Sequence, residues 1–156
     1  MSDGPHRAVV EGPFGPMTLH EAGGVLVKLT WDKSLAGADP GDGSALLAEA
    51  GAQMRAYFDG RLRVFDLPLD WGQGLHRDVR RAMAAIPYGQ TRSYGEIAKA
   101  VGAPAQAVGQ ACGANPLPIV IPCHRVTGSG WFGGFSAPGG VETKAALLRL
   151  EGALLL

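Results

Sequence analysis

A chain of 156 residues can form one large domain or two small ones sharing a boundary. With 46% hydrophobic and 18% charged residues it can bury a core, which excludes disorder as its default state, and no apolar run approaches the ~18 residues of a membrane-spanning helix. Formal net charge is zero but unevenly spread: residues 1–75 hold six Lys/Arg against ten Asp/Glu and residues 76–156 eight against four, so a polyanion is expected on the back half.

In chain order, the N-terminal stretch MSDGPHRAVVEG lacks the apolar core of a signal peptide. Residues 15–31 alternate around Gly23-Gly24 and predict a β-hairpin. Residues 33–44, rich in Gly, Asp and Pro, predict a loop. From residue 45 to 58 apolar side chains recur at helical spacing (Leu46, Leu47, Ala50, Met54, Tyr57, Phe58), and Gly60 ends the helix. Residues 61–69 predict a further strand, weakened at its end by Pro68. These elements make a small α/β domain over residues 1–72, with residues 70–74 as the linker to a second domain, 73–156.

The second domain reads as mostly helical. Residues 76–86 predict a helix stopped by Pro87-Tyr88-Gly89. Ser93-Tyr94-Gly95-Glu96 has the form of a capping box and opens a helix over 94–101. After Gly102-Ala103-Pro104 comes a short helix over 105–112; two helices across so tight a turn suggest helix-turn-helix, although a plain helical hairpin has the same signature. Residues 118–121 predict a short apolar strand leading into Pro122-Cys123-His124-Arg125-Val126. A Gly-rich, wing-like loop at 128–140 and a closing helix at 141–151 complete an α+β fold.

Cys123 is the residue best placed for chemistry. A thiolate is the nucleophilic form of cysteine, and the imidazole and guanidinium that follow in sequence favour it, which predicts acidity stronger than the ~8.5 of a free cysteine. On a straight strand Cys123 and His124 would point to opposite faces. Their cooperation therefore requires a turn, which Pro122 suits, or a water that carries the proton. An inert buried cysteine beside a surface histidine is the alternative on these residues alone. With only Cys112 as a second cysteine, in an unrelated context, there is no disulfide framework, and the cytosol is the expected location. His6, His20 and His76 lack metal-ligand spacing, so no metal is expected.

The run Ile121-Pro122-Cys123-His124-Arg125-Val126 resembles the active-site signature of the O6-alkylguanine-DNA alkyltransferases, the methylated-DNA–protein-cysteine methyltransferases. Ile86-Pro87-Tyr88-Gly89, Ser93-Tyr94-Gly95-Glu96, Ala107-Val108-Gly109, Asn115-Pro116, Gly134-Phe135-Ser136 and Lys144-Ala145-Ala146-Leu147-Leu148 are similar to family motifs in the same order. Gly12-Pro13-Phe14-Gly15-Pro16 and Tyr57-Phe58-Asp59-Gly60 extend the likeness into the front half.

The resemblance implies DNA repair by stoichiometric transfer of an alkyl group from O6 of guanine to Cys123 after base flipping, with O4 of alkylated thymine left open as a second donor. It implies that His124 takes the thiol proton through a water, that Glu151 orients the histidine, and that Asn115 holds the turn before Cys123. Tyr94 would rotate the nucleotide out and face the guanine edge. Ser136 and backbone groups near Val126 would read the base, and Cys112 stands where the family has a variable pocket residue, read as packing. Gln106, Ala107, Gly109, Arg125 and Gly134 are the expected DNA contacts. The implied partner is duplex DNA containing O6-alkylguanine, met by a monomer without cofactor or membrane. Gln106 departs from the family, which usually has an arginine there to fill the gap left by the flipped base, and the turn Gly102-Ala103-Pro104-Ala105 before it is shorter. Two rival readings remain on sequence: an alkyltransferase-like damage-binding protein, against which the presence of Cys123 argues, and a Cys-His-Glu thiol hydrolase, for which no oxyanion hole is evident. A plain helix-turn-helix regulator leaves the Pro-Cys-His-Arg run unexplained.

Overall fold

The computed structural model describes residues 6–31, 44–128 and 139–153. Most of the predicted loop at 33–44 and of the Gly-rich segment at 128–140 lies outside these residues. The chain divides into two compact units, Met1–Asp70 and Trp71–Leu156.

In the first unit three antiparallel strands follow one another in space as in sequence: β1 (His6–Gly12), β2 (Gly15–Ala22) and β3 (Val25–Thr30). The predicted hairpin is β2–β3, closed where Ala22 pairs with Val25. Gly23 and Gly24 between them both have positive φ (62° and 83°), the backbone that a tight two-residue hairpin demands. Strand β1 is an addition to the sequence reading; only Ala8 and Val10 mark its inner face, too few positions for a clear alternation. One sheet face buries Ala8, Val10, Met17, Leu19, Leu26 and Leu29. Helix α1 (Ala45–Phe58) packs on β1 and β2, and its buried residues are Leu47, Ala50, Gly51, Met54 and Tyr57. Ser44 caps it by accepting from the Leu47 N–H at 3.3 Å.

The strand predicted over 61–69 does not form. The segment meets β3 only at its end, where the Leu26 N–H donates to Pro68 O and the Asp70 N–H to Leu26 O, both at 2.9 Å. Upstream, the Gln53 side chain of α1 takes both backbone groups of Asp66, at 2.9 and 3.1 Å, in place of a neighbouring strand. Pro68 has no N–H to offer a ladder, and none of residues 61–69 is fully buried, so no inner face holds a register.

The second unit packs three helices against one another: α2 (Gly74–Ala84), α3 (Tyr94–Val101) and α4 (Ala105–Gly113). Their shared core includes Val79, Met83, Ile97, Val108 and Ala111. The predicted capping box is complete: the Glu96 N–H donates to Ser93 Oγ at 3.0 Å and the Ser93 N–H to the Glu96 carboxylate at 2.9 Å. Gly102 ends α3 in the left-handed conformation, so the chain turns at once into α4, as in a helix-turn-helix.

Residues 118–121 form a turn, not the expected strand. Ile119 sits at φ 75° and the Ile121 N–H donates back to Leu117 O at 2.8 Å. A short parallel pair missed by the sequence, β4 (Arg92–Ser93) and β5 (Val126–Thr127), ties the start of α3 to the segment after Cys123. Helix α5 (Val141–Leu150) closes the unit.

Candidate active site

Asn115 builds the approach to the site. Its Nδ2 donates to Ile121 O at 2.9 Å while its Oδ1 accepts from the Leu117 N–H at 3.0 Å, so one amide spans both ends of the 117–121 turn. The chain then enters a single 3-10 turn, Cys123–Arg125, with the Arg125 N–H bonded to Pro122 O at 3.0 Å. Three residues per turn spread successive side chains by roughly 120° instead of the 180° of a strand. Cys123 is consequently half-buried, whereas His124 and Arg125 are fully so. The turn required of Pro122 is present.

His124 is fully buried, with Nε2 2.8 Å from Glu151 Oε2 at the C-terminal end of α5. Arg125 grips the same carboxylate with two parallel bonds, Nε to Oε1 at 2.8 Å and Nη2 to Oε2 at 2.9 Å. Its remaining Nη1 donates to Ile86 O at 2.7 Å, and the guanidinium lies 5.7 Å from the centre of the Tyr88 ring. The Tyr88 hydroxyl donates to Leu150 O at 3.2 Å. At Gly89, φ is 84° and a Cβ would stand 3.2 Å from the Glu151 carbonyl, so glycine is what lets the 87–89 turn lie against the end of α5. The Nδ1 of His124 is buried with no hydrogen-bond partner among the described residues.

Lys144 of α5 is a buried charge to which sequence reasoning gave no role. It is fully buried, donates from Nζ to Val126 O at 2.6 Å, and lies 6.0 Å from the centre of the Tyr94 ring. The sequence signal was present in the spacing, since Lys144 stands three and four residues before Leu147 and Leu148 on the buried face of α5, but a lysine is assigned by its charge to solvent.

Burial pushes the Cys123 thiol up from its ordinary value, and the Asn115 amide and the Lys144 ammonium pull it partly back. This overturns the expectation of an unusually acidic thiol. The cations expected to favour the thiolate are His124 and Arg125, but burial holds the imidazole's proton affinity down and Arg125 faces Glu151. Cys112 is buried in α4 and pushed up to about 12, chiefly by desolvation. Burial raises the Tyr94 phenol too, with the nearby Cys112 and Cys123 charges adding to it, so its hydroxyl stays a donor. Burial lowers Lys144, and the negative forms of Cys123 and Cys112 act to restore its charge.

Cys123, His124, Glu151, Asn115, Tyr94, Val126 and Cys112 therefore fall in one neighbourhood, linked by these bonds and charges. Val126 is fully buried; its N–H is bonded to Cys123 O and its carbonyl accepts from Lys144. Gln106 is exposed on the first turn of α4, Ala107 and Gly109 are half-buried, and a Cβ at Gly109 would meet open space. Arg125 requires a correction: the expected DNA contact gives way to a buried clamp on Glu151 and Ile86, because a guanidinium fork matches a carboxylate already at hand. Gly134 and Ser136 lie outside the described residues.

A helix-turn-helix carrying a thiol beside a buried histidine–carboxylate pair has counterparts among known proteins. Residues 74–153 match the family described as 6-O-methylguanine DNA methyltransferase, DNA binding domain, and residues 6–71 match the ribonuclease-like domain of the same family. The chain belongs to the 6-O-methylguanine DNA methyltransferase family. It is 44% identical to the methylated-DNA–protein-cysteine methyltransferase of Mycobacterium bovis, over 94% of this chain and 92% of that protein. The enzyme of that name from Methanosarcina acetivorans is 39% identical over 94% of this chain and 98% of its own length. A crystal structure of Mycobacterium tuberculosis OGT in complex with DNA superimposes with a TM-score of 0.80 at 42% identity, covering 94% of this chain and 92% of that one.

Proposed function

We propose that this chain repairs DNA by moving an alkyl group from O6 of guanine to Sγ of Cys123, one group per molecule. The observation that carries the reading is the pairing of a half-buried thiol with a buried imidazole whose Nε2 is engaged by Glu151 and whose Nδ1 has no partner among the described residues. A buried polar atom without a partner calls for a water or a chemical role. Here a water between Nδ1 and Cys123 Sγ supplies both. The thiol proton passes through it to His124; a sulfur–carbon bond forms as the bond from the alkyl carbon to O6 breaks; guanine leaves with that electron pair and takes up a proton. The thioether is a poor leaving group, so the cysteine is not regenerated.

Lys144 supports the developing thiolate, since a buried ammonium is worth far more beside an anion in a low-dielectric site than in water. Tyr94, kept protonated, donates to the flipped base. The second unit carries the excess of basic residues and the helix-turn-helix, and α4 with Gln106, Ala107 and Gly109 faces the duplex. The protein acts as a monomer on O6-alkylguanine in duplex DNA, in the cytoplasm.

The test is intact-protein and peptide mass spectrometry after mixing with an oligonucleotide duplex holding one O6-methylguanine. One methyl per chain, mapped to the peptide containing Cys123 and absent from Cys123→Ser, is expected. A methyl on Cys112, or persistent transfer by Cys123→Ser, would sink the mechanism.

A further inference from the structure

Arg125 has no part in the alkyl transfer just described, yet the fold commits it completely. It is buried, it binds both oxygens of Glu151 at 2.8 and 2.9 Å, and its third contact is to Ile86 O at 2.7 Å. Glu151 is itself buried, and the oxygen shared with Arg125 is the one that meets His124.

We propose that Arg125 is a positioning residue for alkyl transfer: its clamp on Glu151 fixes His124 in the tautomer with the proton on Nε2 and reserves Nδ1 as the acceptor for the thiol proton. A guanidinium remains charged at any pH the protein meets, and a carboxylate held in its fork remains an anion. An ionised carboxylate can only accept hydrogen bonds, so Nε2 must be the donor across the 2.8 Å contact. The neutral ring then has its lone pair on Nδ1, the buried atom without a partner among the described residues. The charged and titratable groups around this ring are Glu151 at the end of α5, Lys144 within α5, and Arg125 and Cys123 on the 3-10 turn. Glu151 favours a second proton on the ring, while Arg125 and Lys144 oppose it. Arg125 thus cancels part of the carboxylate's pull, and His124 waits neutral until the thiol delivers its proton. Without Arg125 the pull of Glu151 is unopposed by its closest cation, the ring protonates at higher pH, and a base already protonated cannot serve.

The inference rests on Cys123 being the acceptor and His124 its base, but the spectra that decide it need neither DNA nor transfer. The full chain labelled with 15N-histidine is followed by ring 15N–1H spectra across pH, and His124→Gln assigns His124 among the four histidines. In the wild type a neutral ring protonated on Nε2 is expected at pH 7. In Arg125→Met His124 is expected to protonate at higher pH and its two tautomers to mix, with single-turnover transfer slower by roughly tenfold or more, as for loss of a group that orients a reactive ligand. Arg125→Lys keeps the charge without the fork, so protonation should stay near the wild type while the tautomer is less well fixed. A wild-type ring protonated on Nδ1 or on both nitrogens at pH 7 overturns the proposal, and so does a folded Arg125→Met with an unchanged tautomer and titration. If Arg125→Met does not fold, the wild-type spectrum and Arg125→Lys decide. A wild type with the expected tautomer but no transfer activity would defeat the alkyl-transfer reading and leave the assignment of Arg125 standing.

Discussion

The two units treat buried charge in opposite ways. Among the described residues the first unit buries one polar side chain, Thr18, whereas the second buries Arg80, His124, Arg125, Thr143, Lys144 and Glu151. Removing an ion from water costs several kcal/mol even after relaxation. The sheet and helix of the first unit build their core from apolar side chains such as Leu19, Leu26, Met54 and Tyr57, with no charge buried among the described residues. Charges kept inside the second unit are therefore a sign of chemistry, and four of them gather at the 3-10 turn and α5: His124, Arg125, Lys144 and Glu151.

The largest effect that sharpens this contrast is on stability. Leu19→Ala in the first unit, at a fully buried position, should cost about 2–5 kcal/mol in urea denaturation. The pH dependence of Cys123 labelling should not move in that variant; a shifted labelling curve would break the separation between scaffold and site. A smaller effect is expected at α4, the helix proposed to face the duplex. Gln106→Arg puts a charge on α4, which has no basic residue in its last turn and no lysine or arginine in its sequence. Duplex repair should accelerate and its salt dependence steepen by roughly 0.9 in log–log slope for one added phosphate contact. Reaction with free O6-benzylguanine should stay nearly the same, because no base has to be unstacked. If Gln106→Arg leaves duplex repair unchanged or slower, the shortened turn has aimed α4 elsewhere and another residue fills the gap.

The parts legible in the sequence were those with a local cause. The Gly23-Gly24 hairpin, the helix Ala45–Phe58 and the Ser93–Glu96 capping box each follow from a few adjacent residues. Family motifs named Cys123, His124, Asn115 and Glu151 together, and the fold does bring them to one place. What escaped depended on partners far along the chain. Residues 61–69 have strand composition but lose their ladder to the Gln53 side chain. Residues 118–121 read as a strand, yet the Asn115 amide bends them into a turn with Ile119 at positive φ. Arg125 was expected to meet DNA because nothing near it in sequence reveals a carboxylate 26 residues away. Lys144 escaped for the same reason, its acceptor lying 18 residues upstream at Val126.

The central claim is that the second unit holds Cys123 as a protonated thiol by burial and that the charge of Lys144 opposes this. The most direct measurement is the rate of iodoacetamide labelling of Cys123 against pH, read on its own peptide, in the wild type and in Lys144→Met. A buried thiol ionises late, so the wild-type rate should climb through the alkaline range with a midpoint above the ~8.5 of a free cysteine. A cation favours the thiolate, so its removal must move the midpoint to still higher pH. A wild-type plateau already reached at neutral pH, or a midpoint that Lys144→Met leaves in place or moves down, would contradict the account.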